Sequence, residues 1–284
     1  TDSGEGIPAV CGADAIRIDV AARTFSANGT TVREGEIITI DGFRGRVFLG
    51  ELPLEDSLLE KARGGDADAR KATIWKAFER LMRRADEVRR LRVRANADTP
   101  DQATNARGRG AEGIGLCRTE HMFLGEERVL AVRQMIFAET VEEERSAYAS
   151  LLPLQKGDFV GIFRAMSGLP VTVRLLDPPL HEFLPRVQEL EIKKATQGLS
   201  HVEEKLLEAA ESWSEFNPMI GTRGVRLGVI KPGLYAMQVR ALMAAADIVA
   251  AEGYQPIVEV MIPLTVTDDE LALLVKLLRG EKLD

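Results

Sequence analysis

The chain has 284 residues, 45% of them hydrophobic, and its 37 Lys+Arg against 44 Asp+Glu give a formal net charge of −7. An acidic chain without a long basic run is a poor partner for nucleic acids or membrane surfaces, and no apolar run is predicted to reach the length of a membrane span. Cysteines at two positions only, Cys11 and Cys117, argue against a disulfide scaffold and predict a cytoplasmic protein.

The first part of the chain, residues 7–53, has the pattern of β structure. Residues 15–20 alternate apolar and polar side chains, as in a half-buried strand. Asn28-Gly29 lies between two strand-like runs and predicts a hairpin, because both turn positions tolerate positive φ. No histidine precedes His121, and no functional site is predicted in this part.

Residues 54–90 are predicted to form a helical connection that Gly64-Gly65 interrupts. Apolar side chains recur at helical spacing between residues 74 and 88. Arginines cover much of the remaining surface, which is typical of a nucleic-acid patch or of a solvated helix face. Acidic residues are interleaved with them and favour the solvated face. A helical connector between two rigid parts suggests domains that move relative to each other.

From Leu91 onward, predicted strands alternate with predicted helices, which indicates a parallel sheet covered by helices. A complete eight-stranded barrel takes about 250 residues. From Leu91 to the end there are 284 − 90 = 194 residues. The part is therefore an open doubly wound sheet or a barrel without its last strands. The predicted strands lie at residues 91–96, 113–118, 171–177, 217–223 and 256–263, and the predicted helices start at 98 and cover 126–150, 201–215, 234–251 and 268–278.

Charged side chains end four of these strands: Arg118, Arg174, Arg223 and Glu259. The carboxyl ends of parallel strands meet in one crevice, where three guanidinium groups would bind a compact anion. A glutamate cannot bind that anion directly. A divalent cation between them, with Mg²⁺ as the best fit, would reconcile the two.

Each of these side chains also has a structural alternative. Arg174 could pair with Asp177, Arg223 could cap a loop, and Glu259 could be the buried partner of a neighbouring arginine. Next to Arg118, Glu120 and His121 are predicted to act as supports. Cys117 has the companions of neither a zinc site nor a Cys-His dyad, which predicts a structural role.

Four stretches around these residues resemble the pyruvate, phosphate dikinases, within the phosphoenolpyruvate-utilising enzyme family: residues 113–123, 174–185, 217–224 and 259–264. The stretch from Gly35 to Leu49 resembles the end of the family's swivelling phosphohistidine domain. The resemblance covers nearly the whole chain. The long motif that starts at Arg174 separates the chain from two relatives, phosphoenolpyruvate synthase and the first enzyme of the sugar phosphotransferase system.

The resemblance implies an α/β chain in three parts: the C-terminal part of a β-rich swivelling phosphohistidine domain (1–53), a helical linker (54–90), and the N-terminal part of an incomplete (β/α)8 TIM-type barrel (91–284) that binds phosphoenolpyruvate or pyruvate. It also implies the site groups. Three arginines would bind the substrate and act in catalysis, and one glutamate would touch the substrate and bind Mg²⁺: Arg118, Arg174, Arg223 and Glu259.

The implied reaction converts ATP, phosphate and pyruvate to AMP, pyrophosphate and phosphoenolpyruvate. Its partners would be the ATP-grasp domain and the phosphohistidine of a full-length enzyme, and a homodimer is a further option. The family's Gly-rich Thr-Ser-His-Ala run is expected before Pro8 and does not occur there, and the last barrel strands, with a second metal carboxylate and a late cysteine, are not matched. We therefore expect a central fragment that does not complete the reaction alone. The competing hypotheses are a non-catalytic interaction module and a sugar phosphotransferase relative.

Overall fold

The computed structural model describes residues 9–123, 125–215, 217 and 219–280, without the side chains of residues 126 and 127. The chain divides into two compact units, with the boundary between Arg89 and Arg90. The first residues of the predicted β-rich part, up to Pro8, lie outside the described residues, as does Pro218 of the predicted segment 217–223.

The described part of the first unit, from residue 9 on, begins with two small antiparallel sheets. One has the order β1-β2-β3 and the other pairs β4 with β5. The turn between β2 and β3 lies at Asn28-Gly29, where both residues have positive φ (51° and 81°), so the predicted hairpin is confirmed. The strand bounds are β1 (Arg17–Asp19), β2 (Thr24–Ala27), β3 (Thr30–Arg33), β4 (Ile38–Asp41) and β5 (Arg46–Leu49).

Three helices complete the first unit: α1 (Leu58–Arg63), α2 (Ala67–Lys71) and α3 (Thr73–Val88). Gly65, with φ at 100°, separates α1 from α2, as the Gly-Gly pair predicts. This unit has little core of its own, because its fully buried apolar side chains, among those described, are Val32, Ala62 and Ala69.

The second unit is built on a four-stranded sheet with the order β6-β7-β8-β9, all neighbours parallel. Strand order in space follows strand order in the chain. The predicted mixed α/β class with a parallel sheet is thereby confirmed. The strands are β6 (Ala95–Asn96), β7 (Ile114–Arg118), β8 (Pro170–Arg174) and β9 (Ile257–Met261).

Helices connect and cover these strands. Thr99 caps the first of them and Pro100 occupies its first turn, as predicted. Three others begin with a capping box, at Thr140, Ser200 and Thr267. The helices are α4 (Pro100–Gly108), α5 (Glu126–Phe137), α6 (Val141–Ala165), α7 (Val187–Thr196), α8 (His201–Ser212), α9 (Val225–Ile230), α10 (Pro232–Ala251) and α11 (Asp268–Leu278), with short 3₁₀ helices at Thr119–Phe123 and Leu180–Phe183.

Among the predicted elements that differ from the structure, the strand predicted over 171–177 ends at Arg174. The strand predicted over 91–96 pairs only through Ala95–Asn96, at the edge of the sheet. The single helix predicted over 126–150 is two, because the capping box at Thr140 starts a new helix. The described residues of 217–223 form turns and bends without strand pairing.

The core of the second unit lies between the sheet and its helices, and α10 is central to it. Its buried residues include Leu234, Met237 and Leu242, and it packs along α6. By length and composition alone this helix could cross a membrane, which corrects the expectation that no apolar run is so long. It carries Arg240 and Asp247 and serves here as a core helix. The cytoplasmic location stays a prediction.

Candidate functional site

A small cavity opens at the carboxyl ends of β7 and β8. Its volume is about 260 Å³, and two arginines, a histidine and three carboxylates line it together with Pro178 and Phe183: Arg174, Arg223, His121, Glu120, Asp177 and Glu182. Arg174 is the last residue of β8, and Arg223 lies just before α9. Of the three arginines predicted to converge, the structure brings these two together.

Asp177 is the carboxylate that joins the two arginines. Its Oδ2 accepts a hydrogen bond from Nη2 of Arg223 at 2.9 Å and lies 3.1 Å from Nη1 of Arg174. Glu120 accepts a further hydrogen bond from Nη2 of Arg174. The pairing of Arg174 with Asp177 is one of the structural alternatives raised from the sequence, although Asp177 is only 6% exposed and not on the surface. We term these four residues the arginine cluster.

Polar atoms in the arginine cluster remain unsatisfied. Nε of Arg174, Nε of Arg223, Oε2 of Glu120 and Oδ1 of Asp177 are buried without a hydrogen-bond partner among the described residues. A buried N–H without an acceptor is costly, so such groups commonly mark a site that binds a ligand or water. Two guanidinium groups with spare donors beside one cavity can bind an anion through several oxygens.

Buried hydrogen bonds from α10 hold the strand ends that carry this cluster. Gln238 accepts a hydrogen bond from the backbone N–H of Leu176 at 2.9 Å and donates one to Oγ1 of Thr119 at 3.0 Å. The hydroxyl of Tyr235 donates to the carbonyl of Leu176 at 2.7 Å, and burial raises the pKa of Tyr235 above its ordinary value. These contacts fix the segments that follow β7 and β8.

The backbone of Arg118 lies beside that of Arg174, since the two residues are register partners on β7 and β8. Its side chain, however, is not part of the cavity lining. Nη1 of Arg118 lies 3.8 Å from Oδ2 of Asp98, and its backbone N–H donates to Oδ1 of the same carboxylate at 2.6 Å. Asp98 also contacts His121. Of the two residues predicted to support Arg118, Glu120 therefore contacts Arg174 instead, and His121 contacts Asp98.

Glu259 lies elsewhere on the sheet. In the register of β8 and β9 it faces Thr172, two residues before the pair formed by Arg174 and Met261. Its carboxylate accepts hydrogen bonds from Arg94, at 2.5 and 3.1 Å, and from Thr172 at 2.6 Å. A buried pairing with a neighbouring arginine was the structural alternative for this residue. The arginine is present, but the Glu259 side chain is 42% exposed.

These contacts do not fit a magnesium site at Glu259. Both carboxylate oxygens are engaged by the Arg94 guanidinium, whose positive charge disfavours a nearby cation. Within the described part of the chain, no group of three or more His, Cys, Asp or Glu side chains is placed to hold a metal ion. We assign no step to a metal here.

The Arg94–Glu259 pair predicts a pH dependence of stability. The hydrogen bond from Arg94 lowers the pKa of Glu259 below its ordinary value of 4.5. Because the folded-state pKa is the lower one, the pair stabilises the fold above pH 4.5 and loses this contribution as the pH falls through the folded-state pKa. We expect the unfolding free energy of an Arg94→Met variant, measured with urea, to fall less between pH 6 and pH 3 than that of the wild type. The same pH dependence in both proteins would contradict this prediction.

Cys117 is buried, and burial raises the pKa of its thiol, which leaves it protonated and unreactive. This agrees with the structural role predicted for it. The residues that the sequence interpretation passed over as site groups are Asp98, Asp177, Tyr235 and Gln238. Only Asp177 carried a signal, because it follows the arginine of its own strand by three residues.

Comparison with known proteins decides the family. The profile described as "PEP-utilising enzyme, PEP-binding domain" matches residues 72–284, about three quarters of the chain. The chain belongs to the PEP-utilising enzymes. The resemblance drawn from its motifs is thereby confirmed, and with it the assignment to an enzyme family.

Curated proteins similar to this chain include several dikinases. The chain is 45% identical over 279 residues to pyruvate, phosphate dikinase 2 of Oryza sativa subsp. japonica, a match covering 97% of the chain and 30% of the relative. It is 43% identical over 275 residues to pyruvate, phosphate dikinase of Entamoeba histolytica, covering 94% and 29%. For the Clostridium symbiosum enzyme the identity is 43% over 270 residues, with the same coverage. The chain thus spans about 30% of the length of these relatives.

Proposed function

We propose that this chain supplies part of the phosphoenolpyruvate and pyruvate site of a pyruvate, phosphate dikinase. The observation that carries the proposal is the arginine cluster: two guanidinium groups beside a cavity of about 260 Å³, each with a buried Nε–H that has no acceptor among the described residues. Phosphoenolpyruvate carries a carboxylate and a phosphate, and planar guanidinium groups match the oxygens of both.

Glu120 and Asp177 make the arginines a rigid receptor. They occupy Nη atoms of Arg174 and Arg223 and so fix the planes of both guanidinium groups before a ligand arrives. Fixed donors need no reorganisation when negative charge moves from the phosphoryl group to the enolate oxygen of pyruvate. In this proposal Arg174 and Arg223 bind and orient the substrate anion. Arg118, the register partner of Arg174, adds positive charge from the neighbouring strand.

The domain arrangement is part of the proposal. A doubly wound sheet reverses its strand order at a switch point, whereas the four described strands of the parallel sheet follow the chain in one direction. This order supports an incomplete (β/α)8 barrel over residues 91–284, preceded by a helical linker over 54–90. The two small antiparallel sheets before it support the end of a swivelling phosphohistidine domain over 1–53.

The full reaction would also require the ATP-grasp domain and the phosphohistidine of a complete dikinase. We expect a polypeptide of these 284 residues to bind phosphoenolpyruvate without converting it. A homodimer remains a prediction, which size-exclusion chromatography with light scattering would check.

Isothermal titration with phosphoenolpyruvate tests the site. We expect the wild type to bind and Arg174→Ala to bind at least about tenfold more weakly, because each lost charge-assisted hydrogen bond costs about 1.5–3 kcal/mol. Arg174→Lys keeps the charge but loses the fork, and we expect an intermediate affinity.

The matched control is Arg164→Ala. It also removes an arginine from an ion pair, here with Glu252, but this arginine is exposed and lies in the last turn of α6, before β8 begins, whereas Arg174 ends that strand. The affinity of Arg164→Ala for phosphoenolpyruvate should equal that of the wild type. No binding by the wild type, or equal binding by the wild type and Arg174→Ala when both are folded by circular dichroism, would refute the proposed site.

A further inference from the structure

His121 lines the cavity, and the proposed function gives it no task. Its Nδ1 lies 2.7 Å from Oδ2 of Asp98. The other oxygen of Asp98 accepts the backbone N–H of Arg118 at 2.6 Å, and the backbone N–H of Asp98 donates to Gln102 at 2.8 Å. The carboxylate is only 11% exposed, so the Asp98 end of this pair is held in place.

This pairing determines which ring nitrogen is available to a ligand. A carboxylate only accepts hydrogen bonds, so the proton on Nδ1 of His121 stays directed at Asp98. Nε2 is then the free position on a ring that is 49% exposed and lines the cavity with Arg174 and Arg223. A neutral ring offers an acceptor at Nε2, whereas a protonated ring offers an N–H donor and a positive charge.

The charges around the ring make the protonated form useful to a bound anion. Three arginines and four carboxylates line the cavity with the ring or belong to the contacts of Asp98: Arg118, Arg174, Arg223, Asp98, Glu120, Asp177 and Glu182. The arginines are therefore offset by carboxylates before any ligand binds. One more positive charge beside the cavity favours an anion that carries both a carboxylate and a phosphate.

We infer that His121, oriented by Asp98, is a pH-dependent contact for the substrate anion: its protonated ring donates Nε2–H to the ligand, and its neutral ring does not. This inference rests on the proposed function, since it concerns the same cavity. Asp98 is a positioning residue in it, because it acts on the ligand only through the histidine ring.

Ring signals of histidine in nuclear magnetic resonance test this directly. The chain has three histidines, so the signals can be assigned with single His→Gln variants. We expect saturating phosphoenolpyruvate to move the pH midpoint of the His121 signal up by about one pH unit, which corresponds to about tenfold tighter binding by the protonated form. The exposed His201 should not respond. An unmoved His121 midpoint with ligand bound would overturn the inference.

Affinity measurements give an independent check. Phosphoenolpyruvate titrates by itself, so the wild type is compared with His121→Gln, which keeps a polar group but never gains a charge. Between pH 8 and pH 6 the affinity of the wild type should rise more than that of His121→Gln, by up to about tenfold. His201→Gln, the matched control, should behave as the wild type. Parallel pH profiles for all three proteins would refute the contact.

Asp98→Asn tests the positioning role. The amide oxygen can still accept the backbone N–H of Arg118, but the negative charge next to the ring is gone. The NH₂ group of the amide then faces Nδ1 of His121, so we expect the neutral ring to carry its proton on Nε2 instead of Nδ1, which the chemical shifts of the ring nitrogens report. A purely structural role of Asp98 would leave the tautomer unchanged in a folded variant.

The outcomes also separate the two proposals. If the wild type binds phosphoenolpyruvate at neither pH, both fail. If binding depends on Arg174 but the histidine signals and the His121→Gln profile do not respond, the site stands and only the histidine contact fails.

Discussion

The variant Asp177→Asn is expected to lose about 3 kcal/mol of unfolding free energy. Asp177 is 6% exposed, and a single oxygen faces Nη2 of Arg223 at 2.9 Å and Nη1 of Arg174 at 3.1 Å. Both arginines are themselves mostly buried. Without the carboxylate, the two guanidinium groups would lie close together, and within the arginine cluster Glu120 contacts Arg174 alone. Removing one partner of a buried ion pair costs far more than the pair contributes.

Urea unfolding of the wild type and the variant measures this loss. Asp247→Asn, at an exposed position of α10, is the matched control and should change stability by less than about 0.5 kcal/mol. The gain in unfolding free energy on adding inorganic phosphate is a second measurement. Phosphate should stabilise Asp177→Asn more than the wild type, because it can replace the lost charge between the arginines. Equal stability of the variant and wild type would contradict the central role given to Asp177.

The second large effect is expected for Gly224→Ala, with a loss of about 3 kcal/mol. Gly224 follows Arg223 and has φ 55° and ψ −132°, a combination that an L-residue adopts only with strain. A Cβ there would lie 2.8 Å from the carbonyl oxygen of Pro263 and 3.0 Å from Leu264. The backbone N–H of Gly224 also donates to the carbonyl of Asp177 at 2.9 Å, so the turn holds Arg223 against the segment that follows β8.

Gly157→Ala is the matched control for this change. Gly157 lies inside α6 with nothing within 4 Å of an added Cβ, so alanine there should stabilise the helix by about 0.5–1 kcal/mol. Opposite signs for the two Gly→Ala variants are the expected result. A neutral Gly224→Ala variant with unchanged affinity for phosphoenolpyruvate would show that this turn does not position Arg223.

Much of the fold follows from local sequence. Helix α11 has the predicted limits, Asp268–Leu278, because a capping box marks its start and apolar residues keep helical spacing to its end. The hairpin at Asn28-Gly29 follows from turn chemistry in the same way. For the site, alternation of strands and helices was enough to predict that Arg118 and Arg174 end neighbouring strands.

The partners of the charged side chains could not be predicted so well. Alternation of apolar and polar residues predicts which face of the sheet a side chain is on. It does not predict which residue of the neighbouring strand lies beside it. Glu259 and Met261 share a face of β9, yet the register places Met261 beside Arg174 and Glu259 beside Thr172. Asp98 comes from the segment before α4, and its contact with His121 joins residues 23 positions apart. Such pairings depend on packing between elements, which no local pattern records.

The strand order of the parallel sheet has a consequence for synthesis of the protein. Each strand of the β6-β7-β8-β9 sheet pairs with the one made just before it. A chain emerging from the ribosome can therefore extend the sheet in one direction without waiting for a distant segment. Arg118 and Arg174 can be placed side by side as soon as β8 has joined β7, before Arg223 is made. The proposed anion site would then be assembled in the order in which its arginines are translated.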